Sequence, residues 1–130
     1  MGHVSVKQRN TVGYLYILAT VLFTVYGQIV MKWRVTLHGP LPGTSIGKLH
    51  YFVHLFADIW VLSCFVGAFI AAVSWMAALT KFDVTYAYPF TSLGFVFVLV
   101  LGTLAFGEAV TATKVLGVTL IIAGILVGSR

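Results

Sequence analysis

The sequence predicts an all-α membrane protein with four transmembrane helices and an interfacial helix between the first and the second. Only 8% of the 130 residues are charged and 60% are hydrophobic, whereas a soluble domain carries about 25% charged residues. So little charge would leave too little polar surface for a soluble fold, but a bilayer is itself an apolar solvent and removes that requirement. The length suits one domain, so residues 1–130 are expected to form a single four-helix unit.

Three charge-free stretches are long enough to cross a bilayer, which takes about 20 apolar residues. They are Thr11 to Met31, Ile59 to Thr80 and Val84 to Gly107. The fourth candidate span, Thr111 to Ser129, is shorter and crosses only if the Lys114 side chain extends to the membrane surface. Either Thr111 or Thr113 is the expected N-cap of this helix.

The connections between the spans differ in length. Spans two and three are joined by Lys81 to Asp83, and spans three and four by a few residues around Glu108, so both pairs should be antiparallel neighbours. The first connection is long and opens with the turn-rich segment His38 to Gly43. It then becomes apolar again, with interspersed charges. This pattern predicts an interfacial helix over Ser45 to Ala57.

The distribution of positive charge does not favour one orientation. One side of the membrane would carry Lys7, Arg9, Lys81 and Arg130, and the other would carry Lys32, Arg34, Lys48 and Lys114. Because the positive-inside rule needs an imbalance, this sequence permits insertion both ways, and hence an antiparallel homodimer that builds an inverted repeat from two chains. Alternatively, Lys48 lies too far from a helix end to count, and the N-terminus is then cytoplasmic.

A polar row follows one face of the first helix. Thr20, Thr24, Gln28 and Lys32 recur at a spacing of four and therefore share one slowly drifting face. A Gln in a membrane helix is costly without a partner, so this face should look into the bundle or a cavity. The structural alternative is hydrogen bonding between helices. Lys32 alone would also suit an interface anchor.

The third span begins with hydroxyl-bearing residues around a proline. Pro89 removes a backbone donor and frees a carbonyl one turn earlier, next to Tyr86, Tyr88, Thr91 and Ser92. A loosened helix start lined by hydroxyl groups can form a polar pocket within the membrane. The alternative is an ordinary kink with tyrosines in the interfacial aromatic belt.

Metal binding and catalysis are not expected. His50, His54 and Asp58 recur at a spacing of four, but a metal site needs a further ligand, and the wet face of an interfacial helix explains the pattern. Together with Lys32, Arg34 and Lys48, this membrane surface could receive a phosphate head group. The sequence contains no catalytic set, so neither enzyme activity nor a cofactor is predicted. The basic residues are scattered, which does not suit nucleic-acid binding.

The fourth helix carries a candidate dimer interface. Gly124 and Gly128 form a GxxxG pair, and Gly117 lies two turns earlier on the same helix. Small residues at this spacing let two membrane helices approach closely. We therefore expect these three glycines at the contact between two subunits.

Several strings resemble the small multidrug resistance family. The similar segments are Tyr14 to Tyr16, Gly27, Met31 to Lys32 and Gly117 to Gly124. The drug exporters of that family carry an essential glutamate in helix 1 where this chain has Thr24, and Thr91 replaces an expected tryptophan of helix 3. A buried carboxylate is what exchanges a proton for a cationic substrate, so antiport by that mechanism is not expected.

Other strings resemble the EamA-like half-size proteins of the drug/metabolite transporter superfamily. They are Ala87 to Pro89, Ser92 to Leu93, Phe95 to Val96 and Gly107 to Val110. These relatives include subunits proposed to flip aminoarabinose linked to undecaprenyl phosphate. The resemblance implies a multi-pass protein of the bacterial inner membrane, acting as a homodimer or a heterodimer, that translocates a lipid-linked sugar or another polyprenyl-phosphate lipid.

The residues expected to line the path are Thr24, Gln28, Tyr88, Thr91 and Ser92, with Lys32 and Arg34 near the phosphate. One alternative is a small-molecule exporter coupled to protons through Glu108 or Asp58. Another is a non-transporting subunit that holds a glycosyltransferase or a similar membrane complex.

Overall fold

A computed structural model describes the backbone of residues 6–130 and the side chains of residues 10–130. The side chains of Lys7 and Arg9, which entered the charge count, lie outside the described part. Residues 6–130 fold into helices and contain no strand, which confirms the all-α prediction. The helices are α1 (Val6–His38), α2 (Ser45–Ala57), α3 (Ile59–Leu79), α4 (Val84–Thr91), α5 (Leu93–Phe106) and α6 (Ala112–Gly128).

Three helical rods are long and apolar enough to cross a membrane. They are Asn10–His38, Ile59–Leu79 and Val84–Phe106, the last of which joins α4 and α5. Helix α6 has 17 residues, which at 1.5 Å each give about 25 Å, less than the roughly 30 Å of a hydrocarbon core. Within the described residues, three helices could therefore span a membrane, and the fourth crossing stays a prediction.

The start of α6 is capped as expected. The Thr111 hydroxyl accepts a hydrogen bond from the Lys114 backbone N–H at 3.2 Å, so Thr111, not Thr113, is the N-cap. The Lys114 ammonium turns back and donates to the Ala109 carbonyl at 3.0 Å. This is the direction that Lys114 must take if α6 is to lie across the membrane.

Helix α1 continues past Met31, where the charge-free stretch ends, so the expected boundary was wrong. Lys and Arg are good helix formers, and the charges at the end of the stretch mark a membrane surface without ending the helix. The last turns are supported by hydrogen bonds from Thr36 Oγ1 to the Lys32 carbonyl at 2.7 Å and between the His38 ring and the Arg34 carbonyl at 2.8 Å. The helix ends at Gly39, whose φ of 81° is the left-handed conformation that glycine adopts without strain.

Helix α2 has the bounds that the sequence predicted. The Thr44 hydroxyl caps it by accepting from the Gly47 N–H at 3.1 Å, and the chain turns at Asp58 directly into α3. Leu55 is the buried side chain of α2, whereas Ile46, Leu49 and other apolar residues are exposed. An amphipathic helix with such a face suits a membrane surface, but its interfacial position stays a prediction.

The core lies where α1 meets α3 and α4. Ile17, Val21 and Val25 recur at a spacing of four on α1 and pack with Ala78 of α3 and Ala87 of α4. Both alanines are fully shielded, so the helices approach closely because a small side chain stands at the contact.

The rod of α4 and α5 is interrupted at Ser92. Pro89 lies inside α4, and the Ser92 N–H bonds to the Pro89 carbonyl at 3.1 Å in a tighter turn than an α-helix makes. The predicted loosening therefore occurs just after the proline, and it places Thr91 and Gly94 opposite α1.

Candidate functional site

Two open clefts flank the polar row of α1. The α1–α3 cleft has a volume of about 410 Å³ and the α1–α5 cleft a volume of about 330 Å³. Thr24 and Gln28 line both clefts, so the row predicted from the sequence stands between them. Thr20, Gly27 and Met31 line the α1–α3 cleft only. Volumes of this size suit a small ligand or one polar head group.

Gln28 is the polar group of this row that lacks an internal partner. Thr24 donates its hydroxyl hydrogen to the Thr20 carbonyl at 2.7 Å, and Thr20 donates to the Tyr16 carbonyl at 2.9 Å. The Gln28 amide forms no hydrogen bond with any residue in the described part of the chain. An amide left unpaired beside apolar surface costs free energy. Its exposure to both clefts therefore indicates a group that is satisfied by a ligand, by water or by a second chain.

Small side chains of α3 provide the room for the α1–α3 cleft. The small residues are Ala68, Ala71 and Ala72, and they line the cleft together with Trp75. All four share one helix face, because they follow a spacing of three to four residues. Cys64 and Phe65 complete the mostly apolar wall. These residues were not predicted to line the site, although their helical spacing on α3 is a signal that the sequence contains.

The hydroxyl groups at the α4–α5 junction do not converge as predicted. Thr91 lines the α1–α5 cleft, with its hydroxyl donated to the Tyr88 carbonyl at 2.6 Å. Ser92 is the N-cap residue of α5, but its side chain makes no capping hydrogen bond. The Tyr88 ring is exposed and meets the edge of Trp75, with 6.2 Å between ring centroids. Tyr88 thus borders the α1–α3 cleft through Trp75, and Thr91 faces the other cleft.

Arg34 is held by a carboxylate. Its guanidinium donates to Asp58 Oδ2 through Nε at 2.7 Å and also through Nη2. The side chains of Arg34 and Asp58 are only 21% and 7% exposed, and the guanidinium also lies over the Trp33 ring. Charge-assisted hydrogen bonds of this kind are strong, so Arg34 ties the end of α1 to the start of α3.

The pKa of the Asp58 carboxyl lies below its ordinary value. Desolvation by burial acts to raise this pKa, but hydrogen bonds from the Trp60 N–H and the Arg34 guanidinium, together with the Arg34 charge, lower it by more. A carboxyl group that couples proton movement to transport must change protonation near neutral pH. Asp58 stays ionised there, which disfavours the exporter alternative that depends on it.

Lys32 has a looser partner. Its ammonium lies 3.8 Å from Oε1 of Glu108, and the two side chains are 56% and 47% exposed. That separation exceeds a hydrogen-bond distance, and exposed pairs of this kind contribute little to stability. The two cations near the end of α1 therefore differ: Arg34 is fixed, whereas Lys32 can exchange its partner.

The histidines of α2 do not form a metal site in the described residues. The Nε2 atoms of His50 and His54 lie 3.0 Å apart, and no group of three potential metal ligands occurs in residues 10–130. The three glycines of α6, namely Gly117, Gly124 and Gly128, have no other side chain or distant backbone within 4 Å of where a β-carbon would stand. The space beside these glycines is therefore open in a single chain, and Gly117 also lines a cleft between α5 and α6.

The sequence matches the EamA-like transporter family over residues 11–130. It is 31% identical over 126 residues to the probable 4-amino-4-deoxy-L-arabinose-phosphoundecaprenol flippase subunit ArnF of Photorhabdus laumondii, covering 91% of this chain and 97% of that protein. It is 32% identical over 122 residues to ArnF of Aeromonas salmonicida, covering 91% and 80%.

A second type of subunit is also similar. The identity to the corresponding probable flippase subunit ArnE of Pseudomonas fluorescens is 28% over 116 residues, covering 89% of this chain and 96% of that protein. No solved structure matches this chain. The agreement over almost the whole length confirms the predicted membership, and the chain belongs to the EamA-like transporter family.

Proposed function

We propose that this protein is a half-size flippase subunit that moves a polyprenyl-phosphate-linked sugar across the membrane. The observation that carries the proposal is Gln28, an unpartnered amide on a membrane-length helix, open to two clefts and one turn from Lys32. The family and the names of the ArnF and ArnE relatives supply the substrate class. Transport of this kind changes no covalent bond, so the protein acts without catalysis.

The shape of the clefts suits a lipid whose head group is polar and whose tail is not. Both clefts open to the side of the helices, because Gln28 and Thr24 are exposed in the single chain. The head group follows the polar row of α1 while the polyprenyl tail stays in the bilayer. Lys32 receives the phosphate at the end of the row, since an ammonium group binds phosphate as a point charge.

A single chain does not enclose such a path, so we propose that two half-size subunits form it. Helix α6 crosses the membrane as the fourth span and packs through Gly117, Gly124 and Gly128 on a second subunit. The open surroundings of these glycines support this arrangement, as does the word "subunit" in the names of the relatives. The partner is a second copy or a similar half-size chain, and the site of action is the bacterial inner membrane.

The experiment that tests the function is lipid retention by the purified protein in native mass spectrometry. Phosphoundecaprenol linked to 4-amino-4-deoxy-L-arabinose is offered together with an equal amount of phosphatidylglycerol, which is also anionic. We expect selective retention of the polyprenyl lipid. Loss of one charge-assisted contact in Lys32→Ala should weaken retention about tenfold, and Gln28→Ala should weaken it by a smaller factor.

Two variants serve as controls for that experiment. Lys81→Ala removes a positive charge from the connection between α3 and α4, and Thr119→Val removes a hydroxyl group from α6 whose hydrogen bond goes to the Val115 carbonyl. Neither residue lines the two clefts around α1, so both variants should retain the lipid as the wild type does. Equal retention of phosphatidylglycerol and the polyprenyl lipid by the wild type would contradict the proposed function.

A further inference from the structure

Glu108 lies against the end of α5 and faces α1. Gly107 ends the helix with a φ of 65°, and the chain then folds back. A β-carbon placed on Gly102 would lie 3.2 Å from Oε2 of Glu108, so the carboxylate occupies space that a larger residue would fill. Its other oxygen faces Lys32. The carboxylate therefore lies at the end of the polar row of α1, at the point where a head group would leave the row.

Glu108 also lines a third cleft, of about 380 Å³, between α5 and α6. This cleft shares Phe95 and Val98 with the α1–α5 cleft. Its lining also includes Lys114, whose ammonium donates to the Ala109 carbonyl. Glu108 therefore presents a negative charge both to the polar row and to an apolar cleft that could accept part of a tail.

We propose that Lys32 and Glu108 form a two-point head-group site that exchanges its internal ion pair for a zwitterion. This inference rests on the proposed function. Without substrate the two side chains neutralise each other. When the substrate arrives, Lys32 binds the phosphate and Glu108 binds an ammonium group on the sugar. Glu108 is thus the residue that selects a sugar bearing an amino group.

Charge balance supports this exchange. The empty site has one positive and one negative group, and so does the arriving head group. Both charges of the site are paired before and after binding, which matters near a bilayer because an unpaired charge there is costly. A phosphate lipid with an uncharged sugar would take Lys32 and leave Glu108 unpaired. A site rejects a ligand strongly when binding leaves one of its own polar groups without a partner.

The contrast with the neighbouring pair explains why this role falls to Glu108. Oδ2 of Asp58 accepts from both Nε and Nη2 of Arg34, and Oδ1 caps α3 by accepting from the Trp60 N–H at 2.9 Å. Exchange at Asp58 would break the capping contacts of a helix. Exchange at Glu108 breaks one 3.8 Å contact between half-exposed groups.

The test compares two lipids that differ at one group of the sugar, which is a charged amine in the first and an uncharged formamide in the second. Phosphoundecaprenol linked to 4-amino-4-deoxy-L-arabinose and the same lipid with its amine formylated are offered in equal amounts to the purified full-length chain. Native mass spectrometry gives the ratio of the two lipids retained. We expect a ratio of about ten for the wild type, which corresponds to one charge-assisted contact, and a ratio near one for Glu108→Gln.

Two further variants make the result specific to this carboxylate. Glu108→Asp keeps the charge and should keep part of the preference, which also shows that the site survives substitution. Asp83→Asn makes the same charge change at the N-cap of α4, where the side chain forms no capping bond, and should leave the ratio at the wild-type value.

The outcomes separate this inference from the proposed function. If the wild type retains both lipids strongly and equally, or if Glu108→Gln keeps the tenfold preference, the role of Glu108 is wrong and the flippase proposal stands. If the wild type retains neither polyprenyl lipid above phosphatidylglycerol, both proposals are wrong. An equal loss of both lipids in Glu108→Gln would show a purely structural ion pair and would also overturn the inference.

Discussion

The contact between α1 and α3 and the exposed surface of α6 are built in opposite ways. At the first contact Ile17, Val21 and Ala78 are almost fully shielded, and the Tyr26 hydroxyl bonds across to Ser63 Oγ at 2.8 Å. On α6, Ile125 is the buried residue within the described helix, and leucines along it are largely exposed. All three helices are apolar, so composition alone does not distinguish the packed contact from the exposed surface.

The difference teaches where the stability of one chain comes from. Between membrane helices there is little hydrophobic driving force, so close packing and hydrogen bonds decide which helices associate. The α1–α3 contact has both, and it holds the polar row in place. Helix α6 has little of either within one chain, which leaves its glycine face available to a second subunit, as proposed above.

The largest effect should follow from enlarging a residue at the tight contact. Ala78→Leu adds three carbons at a position with no exposed surface, and overpacking of this kind destabilises a protein by about 1–3 kcal/mol. We expect a clearly lower unfolding temperature in detergent, followed by tryptophan fluorescence. Ala123→Leu on the exposed part of α6 is the matched control and should unfold as the wild type does. Equal destabilisation by the two variants would contradict the contrast.

Enlarging a glycine of α6 should leave the stability of one chain unchanged and weaken the association of two chains. Gly124→Leu meets open space in one chain, so its unfolding temperature should stay close to that of the wild type. Its dimerisation should weaken about tenfold, because a large side chain prevents the close approach of two helices that small residues allow. Energy transfer between labelled chains in bicelles measures this. Gly43→Leu, in the loop before α2, is the control. Unchanged dimerisation of Gly124→Leu would exclude this face as the interface.

Asp58 should make the stability of the α1–α3 contact sensitive to acid. Because its pKa in the folded protein is lowered, its contribution to stability is complete above its unfolded pKa of about 3.9 and is lost as the pH falls through the folded value. The unfolding temperature of the wild type should therefore drop in that acidic range. Asp58→Asn should unfold at a lower temperature at pH 7 and lose less on acidification.

The matched control for acid sensitivity is Asp83→Asn. Its side chain forms no capping hydrogen bond, so this variant should keep the full acid-dependent drop. If Asp58→Asn and Asp83→Asn gave the same pH profile, the Arg34–Asp58 pair would not be the source of the acid sensitivity.

Much of the fold could be predicted because charge marks membrane surfaces. The charge-free stretches located α3 and the α4–α5 rod, and the turn-rich segment before Thr44 located α2. The end of α1 could not be predicted in the same way, because Lys32 and Arg34 end an apolar stretch without ending a helix. The left-handed glycine at position 39 ends the helix, and hydropathy does not report it.

The candidate site was predictable where one helix face defines it. The spacing of Thr24, Gln28 and Lys32 was sufficient, and the structure places the first two between the clefts. The partners of Lys32 and Arg34 lie far along the chain, so helix periodicity could not assign Glu108 to one and Asp58 to the other. Tyr88 and Thr91 were expected on one path, but Tyr88 contacts Trp75 of the α1–α3 cleft, whereas Thr91 lines the α1–α5 cleft.

The smallest effect on stability should come from Glu108. Its loose pair with Lys32 is the salt bridge that joins α1 to the segment before α6, so its removal tests how firmly that segment is held. Because exposed pairs contribute about 0–1 kcal/mol, Glu108→Gln should shift the unfolding temperature far less than Asp58→Asn does. Differential scanning fluorimetry of both variants at pH 7 gives the comparison.

A large loss of stability in Glu108→Gln would mean that the pair fastens α6 to α1. Helix α6 would then be held to α1 as tightly as α3 is, and Lys32 would not be free to change partners. A small loss together with an altered lipid preference would instead separate the two ion pairs by role. Asp58 would maintain the geometry of the α1–α3 contact, and Glu108 would leave the neighbouring cation available, because a weak internal pair is the one that a head group can replace.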